Sequence, residues 1–215
     1  MNDKSVTAWR REYTTGGLAE TDLATTPDVQ LARWLAEAHM AGLHEPNAMV
    51  LGTVDPDGLS SSRMVLLKGL DAAGLAFYTN YESRKSADLA QNPRCSLLFP
   101  WHPLERQVRV EGYASRLDAA VNDRYFATRP RGAQLGAWAS AQSSVVPNRE
   151  ALEEAYAELE TRWPEPEPVP RPDFWGGYVV EPVVVEFWQG RPDRMHDRLR
   201  YRRTDDTWVV ERLAP

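Results

Sequence analysis

From Ala48 onward the chain is written in short β-type runs closed by tight turns, and this pattern limits its fold more than any other feature. Ala48–Asp55 reads as a strand ending at Pro56-Asp57-Gly58. Ser61–Lys68 and Leu75–Thr79 are further strands, separated by Asp71-Ala72-Ala73-Gly74. Cys95–Phe99 and Gln107–Leu117 follow. Gly177–Glu181, Val183–Trp188, Leu199–Arg203 and Trp208–Leu213 complete the set, with a hairpin turn at Thr204–Thr207. Helical spacing is confined to four segments. Asp28–Leu43 carries Leu31, Trp34, Leu35 and Ala38 on one face behind Pro27. The others are Ser83–Gln91, stopped by Asn92-Pro93, then Asp118–Thr128 and Asn148–Arg162. Pro164–Pro172 holds five of the 16 prolines and predicts an extended connection. Strands joined by turns, with few helices between them, predict an antiparallel sheet that closes on itself. No GxGxxG or GxxxxGK[ST] supports a Rossmann or P-loop site.

A length of 215 residues suits one domain. The expected organisation is a polar, irregular segment over residues 1–27, then a domain over 28–215 whose last part, about 164–215, is a C-terminal region. The formal net charge of −6 argues against general affinity for nucleic acid. No stretch approaches eighteen uninterrupted apolar residues, so no membrane span is expected, and the N-terminus has no signal-peptide core. Cys95 is the single cysteine, which rules out an internal disulfide and a cysteine-rich metal site. These features predict a cytoplasmic chain.

Four segments concentrate groups that can carry chemistry. On the strand Arg63-Met64-Val65-Leu66-Leu67-Lys68, alternate residues face opposite ways, and each face ends in a cation. That is equally a sheet whose terminal charges reach solvent. Ser83-Arg84-Lys85 places two cations at a helix start, where they oppose the helix dipole unless an anion compensates them. Arg129-Pro130-Arg131 follows Tyr125 at a helix end; there arginines satisfy free carbonyls, and their forked donors also suit a phosphate. The run Trp188–Arg198 packs Arg191, Arg194, His196, Asp197 and Arg198 beside a buried-looking strand. Asp197 is placed either to orient His196 or to pair with Arg198. Most of the 8 tryptophans are expected to be core or interface packing.

Taken together, RREY, RMVLLK, FYTNYESRK, LLFPW, LERQV, YFATRPR, QLGAWAS-QS, WGGY, EFWQG, RMHDR and the terminal RLAP resemble the pyridoxine 5′-phosphate oxidase family. The eleven blocks run in order from Arg10 to Pro215. The resemblance implies an antiparallel Greek-key split β-barrel and a homodimer with FMN in clefts between subunits. It implies that Arg63, Arg84 and Lys85 hold the FMN phosphate, and that Met64, Val65, Leu66, Leu67, Lys68, Tyr78 and Thr79 run along the cofactor. Gln107, Trp188 and Arg198 would contact the flavin, with Gln142 and Ser143 contributed across the interface. Lys68, Tyr125, Arg129 and the Ala133 position would hold the substrate's 5′-phosphate. Arg194 and His196 would hold the pyridine ring and carry the catalytic roles. Arg10 and Tyr13 would belong to a segment, within residues 1–27, that closes over the substrate.

The implied reaction oxidises pyridoxamine or pyridoxine 5′-phosphate to pyridoxal 5′-phosphate, with oxygen as acceptor. Two departures stand out: Ala133 replaces the family's usual serine, and Glu45 its usual aspartate. Two other readings stay open, a split-barrel flavoprotein acting on another substrate or using a deazaflavin, and a non-enzymatic carrier of pyridoxal phosphate or FMN.

Overall fold

The structure is a computed structural model that describes residues 12–14, 16–205 and 207–215. Arg10, expected over the substrate, lies outside the described residues. The helices and strands are, in chain order, α1 (Pro27–Met40), β1 (Ala48–Val54), β2 (Ser60–Leu66), β3 (Gly69–Asp71), β4 (Gly74–Asn80), α2 (Arg84–Gln91), β5 (Arg94–Trp101), β6 (Arg106–Arg116), α3 (Ala119–Ala127), α4 (Arg131–Ala139), α5 (Glu150–Arg162), β7 (Trp175–Gln189), β8 (Asp197–Thr204) and β9 (Thr207–Arg212). The registered pairs β3–β4, β4–β7, β7–β8 and β8–β9 are all antiparallel. The architecture is thus the mainly antiparallel β class with flanking helices. Among the described residues no helix is long and apolar enough to cross a membrane.

The described residues form two compact units. One comprises those up to Val50 with Ser96–Glu111 and Pro182–Pro215. Here α1 buries Leu31, Trp34 and Ala38, and Trp34 meets Phe187 edge-on at 5.1 Å between ring centroids. The helix is shorter than the predicted Asp28–Leu43. Gly42 takes φ +75°, and the amides of Gly42 and Leu43 turn back to the carbonyls of His39 and Ala38, which closes the last turn. Tyr201, fully buried on β8, donates to the Ala24 carbonyl at 2.6 Å.

The other unit comprises Leu51–Cys95 and Gly112–Glu181. Its β4 pairs with the first part of β7 (Leu75 opposite Val180, Asn80 opposite Trp175) and with β3. The turn into β4 needs a glycine. Gly74 has φ +138°, and a Cβ there would sit 2.1 Å from the Val180 carbonyl oxygen. Phe126, Leu135, Val169 and Trp175 form the centre of a helix-side core, with Trp138, Tyr156 and Trp163 packed against it.

Four expectations are corrected. The strands predicted at Gly177–Glu181 and Val183–Trp188 are one continuous β7. Pro182 lies between the residues that pair with β4 (175–180) and those that pair with β8 (184–189), so its missing N–H removes no bond from either ladder. Strand β2 ends at Leu66, so Leu67 and Lys68 lie beyond it, and the short β3 follows. Helix α4 was not predicted, because Gly132 and Gly136 dilute its helical pattern. Finally, Pro164–Pro172 is not simply extended: it turns at Glu167, whose amide bonds the Pro164 carbonyl at 2.7 Å, and it buries Val169.

Candidate functional site

In the second unit β4, α2 and α4 enclose a cavity of about 430 Å³ whose lining includes Met64, Thr79, Lys85, Arg129, Ala133 and Gln142. Lys85 is buried, at 7% exposure. Its ammonium donates to Thr79 Oγ1 (2.7 Å), Ser83 Oγ (2.8 Å) and Gln142 Oε1 (2.7 Å), three neutral acceptors. Burial, and then the charge of nearby Arg63, hold it down to about 8. Arg63 donates to Thr53 Oγ1 (2.7 Å) and Ser61 Oγ (2.6 Å), and Asp88 stands 4.0 Å away. Thr53 Oγ1 in turn donates to the buried Asp88 carboxylate at 2.6 Å. Ser83 precedes α2 but does not cap it; its hydroxyl donates to the Asn80 carbonyl and receives Lys85. Arg84 is different: half-exposed, it pairs with Asp55 at 3.6 Å.

Elsewhere along the same cavity, Tyr78 stacks on Tyr125 at 3.8 Å and on Trp175 at 5.3 Å. Burial raises both phenols above the ordinary tyrosine value. The Arg129 guanidinium lies 4.6 Å from the centre of the Trp175 ring. No ion pair of the described residues involves Arg129, its Nη1 is buried without a hydrogen-bond partner, and burial lowers its pKa. A buried, unpaired guanidinium donor marks a place for an anion. Ala133 lines the cavity from α4 and has no side-chain donor to add. Met64 and Val65 also line the cavity, whereas Lys68 is exposed, Leu67 is buried and Ser143 is exposed with φ +77°.

The first unit holds the remaining expected residues. Tyr13, Trp188 and His196 form a ring cluster, with centroids 5.8 Å (Tyr13–Trp188), 5.5 Å (Tyr13–His196) and 4.7 Å (Trp188–His196) apart. The Arg191 amide donates to His196 Nδ1 at 3.1 Å, so in the neutral ring Nε2 carries the proton. Asp197 neither orients His196 nor pairs with Arg198. Its carboxylate binds Arg212 at 2.6 Å and accepts the Leu18 amide at 3.0 Å. Arg198, opposite Trp188 in the β7–β8 register, clasps Glu186 through two bonds of 2.7 and 3.1 Å. Arg194 is exposed on a left-handed turn (φ 61°, after Asp193 at φ 55°), and Gln107 is half-buried at the start of β6.

Several contributors escaped the sequence reading. Thr53 and Asp88 brace Arg63 from other elements, Glu186 neutralises Arg198, and Trp175 underlies Arg129. Only the block WGGY signalled Trp175, and nothing in that block ties it to Arg129.

Two cations at least partly desolvated, Lys85 and Arg129, thus face one cavity in an antiparallel β fold, an arrangement that suits phosphate esters. Comparison with known proteins agrees. The family model described as pyridoxamine 5′-phosphate oxidase matches residues 35–163, and that of the pyridoxine 5′-phosphate oxidase C-terminal dimerisation region matches 175–215. The chain is 60% identical to a pyridoxine/pyridoxamine 5′-phosphate oxidase of a Nocardioides species, over all of both chains. It is 59% identical to the protein of that name from Rubrobacter xylanophilus, over 96% of this chain and 94% of that one. Among solved structures it resembles PhzG of Burkholderia lata 383, crystallised with tetrahydrophenazine-1-carboxylic acid. The TM-score is 0.86 at 35% identity, covering 91% of this chain and 95% of that one. The chain belongs to the pyridoxamine 5′-phosphate oxidase family.

Proposed function

We propose that the chain is an FMN-dependent oxidase that converts pyridoxamine and pyridoxine 5′-phosphates to pyridoxal 5′-phosphate, working as a homodimer. One observation carries the reading: Lys85 and Arg129, both without a carboxylate partner among the described residues, line the same cavity. The reaction needs two phosphate esters, one on the cofactor and one on the substrate. Two desolvated cations at separate points of one cavity suit that pair. The family's C-terminal dimerisation region, residues 175–215, supports a dimer.

The residues fit FMN at its phosphate. Lys85 and Arg63 would hold that group, with Thr79 and Ser83 sharing the bonds and Arg84 contributing from the rim. Met64, Val65, Leu66, Tyr78, Gln107, Gln142, Ser143 and Trp188 would flank the rest of the cofactor. The chemistry FMN supplies when bound is acceptance of a hydride from the substrate's C4′ carbon and delivery of both electrons to oxygen. Overall, pyridoxine 5′-phosphate and O2 give the aldehyde and H2O2. Pyridoxamine 5′-phosphate also takes up water and releases ammonia.

Arg129 would bind the substrate's 5′-phosphate with Tyr125 and Lys68. Arg194 and His196 would hold the pyridine ring, and His196 Nε2 is the atom able to donate a proton to it. Because Glu186 matches its charge, Arg198 would orient the flavin more than add net positive charge beside it. Tyr13, and Arg10 from outside the described residues, would cover the substrate.

An aerobic assay of the FMN-loaded protein with pyridoxamine 5′-phosphate, following aldehyde and peroxide together, tests the reading. Equal yields of both are expected. A yellow protein that gives neither, with pyridoxine 5′-phosphate also inert, would overturn it. It would also favour a substrate closer to the carboxylic acid bound by PhzG.

A further inference from the structure

Arg129 is half-buried, with its Nη1 fully buried, in a cavity that gives it no acidic partner among the described residues, and such a charge needs stabilising before any substrate arrives. A carboxylate would stabilise it, but would also take the forked N–H donors and cancel the charge. An aromatic face does neither. It attracts the cation through the ring quadrupole and leaves the in-plane N–H edge open, and indole does this better than phenol or benzene. Trp175 is the residue so placed. Its ring centre lies 4.6 Å from the guanidinium carbon, while the Phe126 ring is further away, at 5.6 Å.

The indole is itself held in place by its neighbours. Tyr78 stacks on it at 5.3 Å, and Phe126 meets it edge-on at 5.1 Å. The Trp175 backbone pairs with Asn80, and its carbonyl accepts Arg171 Nη1 at 2.7 Å. Arg171 is anchored in turn by Asp123 at 2.6 Å. Trp175 also lines the cavity, so it is a core residue with one face in the site.

We infer that Trp175 is a positioning residue for substrate binding: its indole face stabilises the half-buried Arg129 guanidinium without taking its N–H donors, so that their free edge takes the substrate's 5′-phosphate. The inference rests on the function proposed above and adds to it a residue that acts through Arg129.

The test is a double-mutant cycle on the FMN-loaded protein: wild type, Trp175→Leu, Arg129→Gln and the double variant, with Trp175→Phe alongside. FMN content, kcat and KM for pyridoxamine 5′-phosphate and inhibition by inorganic phosphate are measured for each. Trp175→Leu is expected to raise KM and the phosphate inhibition constant by roughly tenfold, the scale of a desolvated cation–π contact. Its kcat should stay within about twofold and its FMN content unchanged, because the loss falls on phosphate binding alone. Trp175→Phe should recover part of the affinity. In the Arg129→Gln background, Trp175→Leu should add nothing.

An unchanged KM, or an equal increment with and without Arg129, overturns the inference. Should Trp175→Leu fail to fold, the same cycle is run with Trp175→Phe, which keeps the stacked ring. If that variant also fails to fold, Trp175 serves only the core and the inference is overturned. A wild-type protein without turnover would instead sink the proposed function itself.

Discussion

The ammonium of Lys85 lies 2.7 Å from Gln142 Oε1, a neutral oxygen, and among the described residues no carboxylate forms an ion pair with it. Burial and Arg63 depress its pKa from 10.5 to about 8. Below pH 8 the folded chain carries a costly charge. Between about 8 and 10.5 the unfolded chain binds the extra proton, so stability of the FMN-free protein rises with pH across that window. Affinity for a phosphate moves the other way, since it needs the charged form. The dissociation constant of FMN, followed by flavin fluorescence, should therefore increase from pH 7 to pH 9. Lys85→Gln should weaken binding at pH 7 by roughly tenfold or more, the value of a charge-assisted hydrogen bond, and flatten the profile. A wild-type profile flat between pH 7 and 9 would exclude Lys85 as the phosphate's partner.

Adjacent cations in sequence are not equivalent in this site. Arg84 is half-exposed and already paired with Asp55 at 3.6 Å, whereas Lys85 is buried. Exposed pairs contribute about 0–1 kcal/mol. Arg84→Ala should consequently change FMN affinity by no more than about fivefold, and Lys85→Ala should release the cofactor on gel filtration. A Lys85→Ala protein that stays fully yellow would defeat the assignment.

The antiparallel pattern, most strand positions and the groupings around Lys85, Arg129 and His196 were legible because each depends on local period or on a contiguous block. What stayed hidden depends on long-range contact. Nothing near residue 129 announces Trp175, 46 positions later, and nothing near Arg198 marks Glu186 as its partner. Asp197 looked local to His196 and Arg198, but register turns its carboxylate to Arg212, the residue after Glu211 on β9. Pro182 read as a strand break because the sequence does not reveal that β7 changes partners around it. Helix α4 forms against the local preference of its two glycines because Leu135 joins the Phe126–Trp175 core.

Arg194 sits exposed on two successive left-handed residues, and no described residue forms an ion pair with it. Such backbone costs roughly 1–3 kcal/mol per residue and persists where the surroundings demand it. If its work is to hold the substrate ring, Arg194→Ala should cut kcat/KM by roughly a hundredfold while FMN affinity stays within about threefold. Steady-state kinetics beside a flavin titration decide it. Equal losses in both would move Arg194 into the cofactor site.

Ala133 faces the cavity where the family usually has serine. Restoring the hydroxyl would add one hydrogen bond to the phosphate that Arg129 is proposed to bind; with an ionised acceptor such a bond is worth about 1.5–3 kcal/mol. Ala133→Ser should thus lower the KM for pyridoxamine 5′-phosphate by roughly tenfold or more with kcat unchanged. An unchanged or higher KM would show that the phosphate does not come within reach of this position.

Gly74 and Gly58 both have positive φ, +138° and +85°, but only Gly74 is crowded. A Cβ at Gly58 meets nothing within 4 Å, whereas at Gly74 it would lie 2.1 Å from the Val180 oxygen and 2.8 Å from the Val180 carbonyl carbon. Backbone on the partner strand cannot swing aside as a side chain does. Relief would require separating β4 from β7, the pairing that brings Tyr78 and Thr79 beside Gly177 and Gly176. Gly58→Ala should cost about 1 kcal/mol, from its backbone conformation alone. Gly74→Ala should cost about 4 kcal/mol or more, which lowers Tm by roughly 10 °C in a chain of this size. Thermal unfolding of the two variants without FMN, followed by circular dichroism, gives the comparison. If Gly74→Ala melts within about 2 °C of Gly58→Ala, the β4–β7 ladder is not as closely joined at Val180 as the register requires.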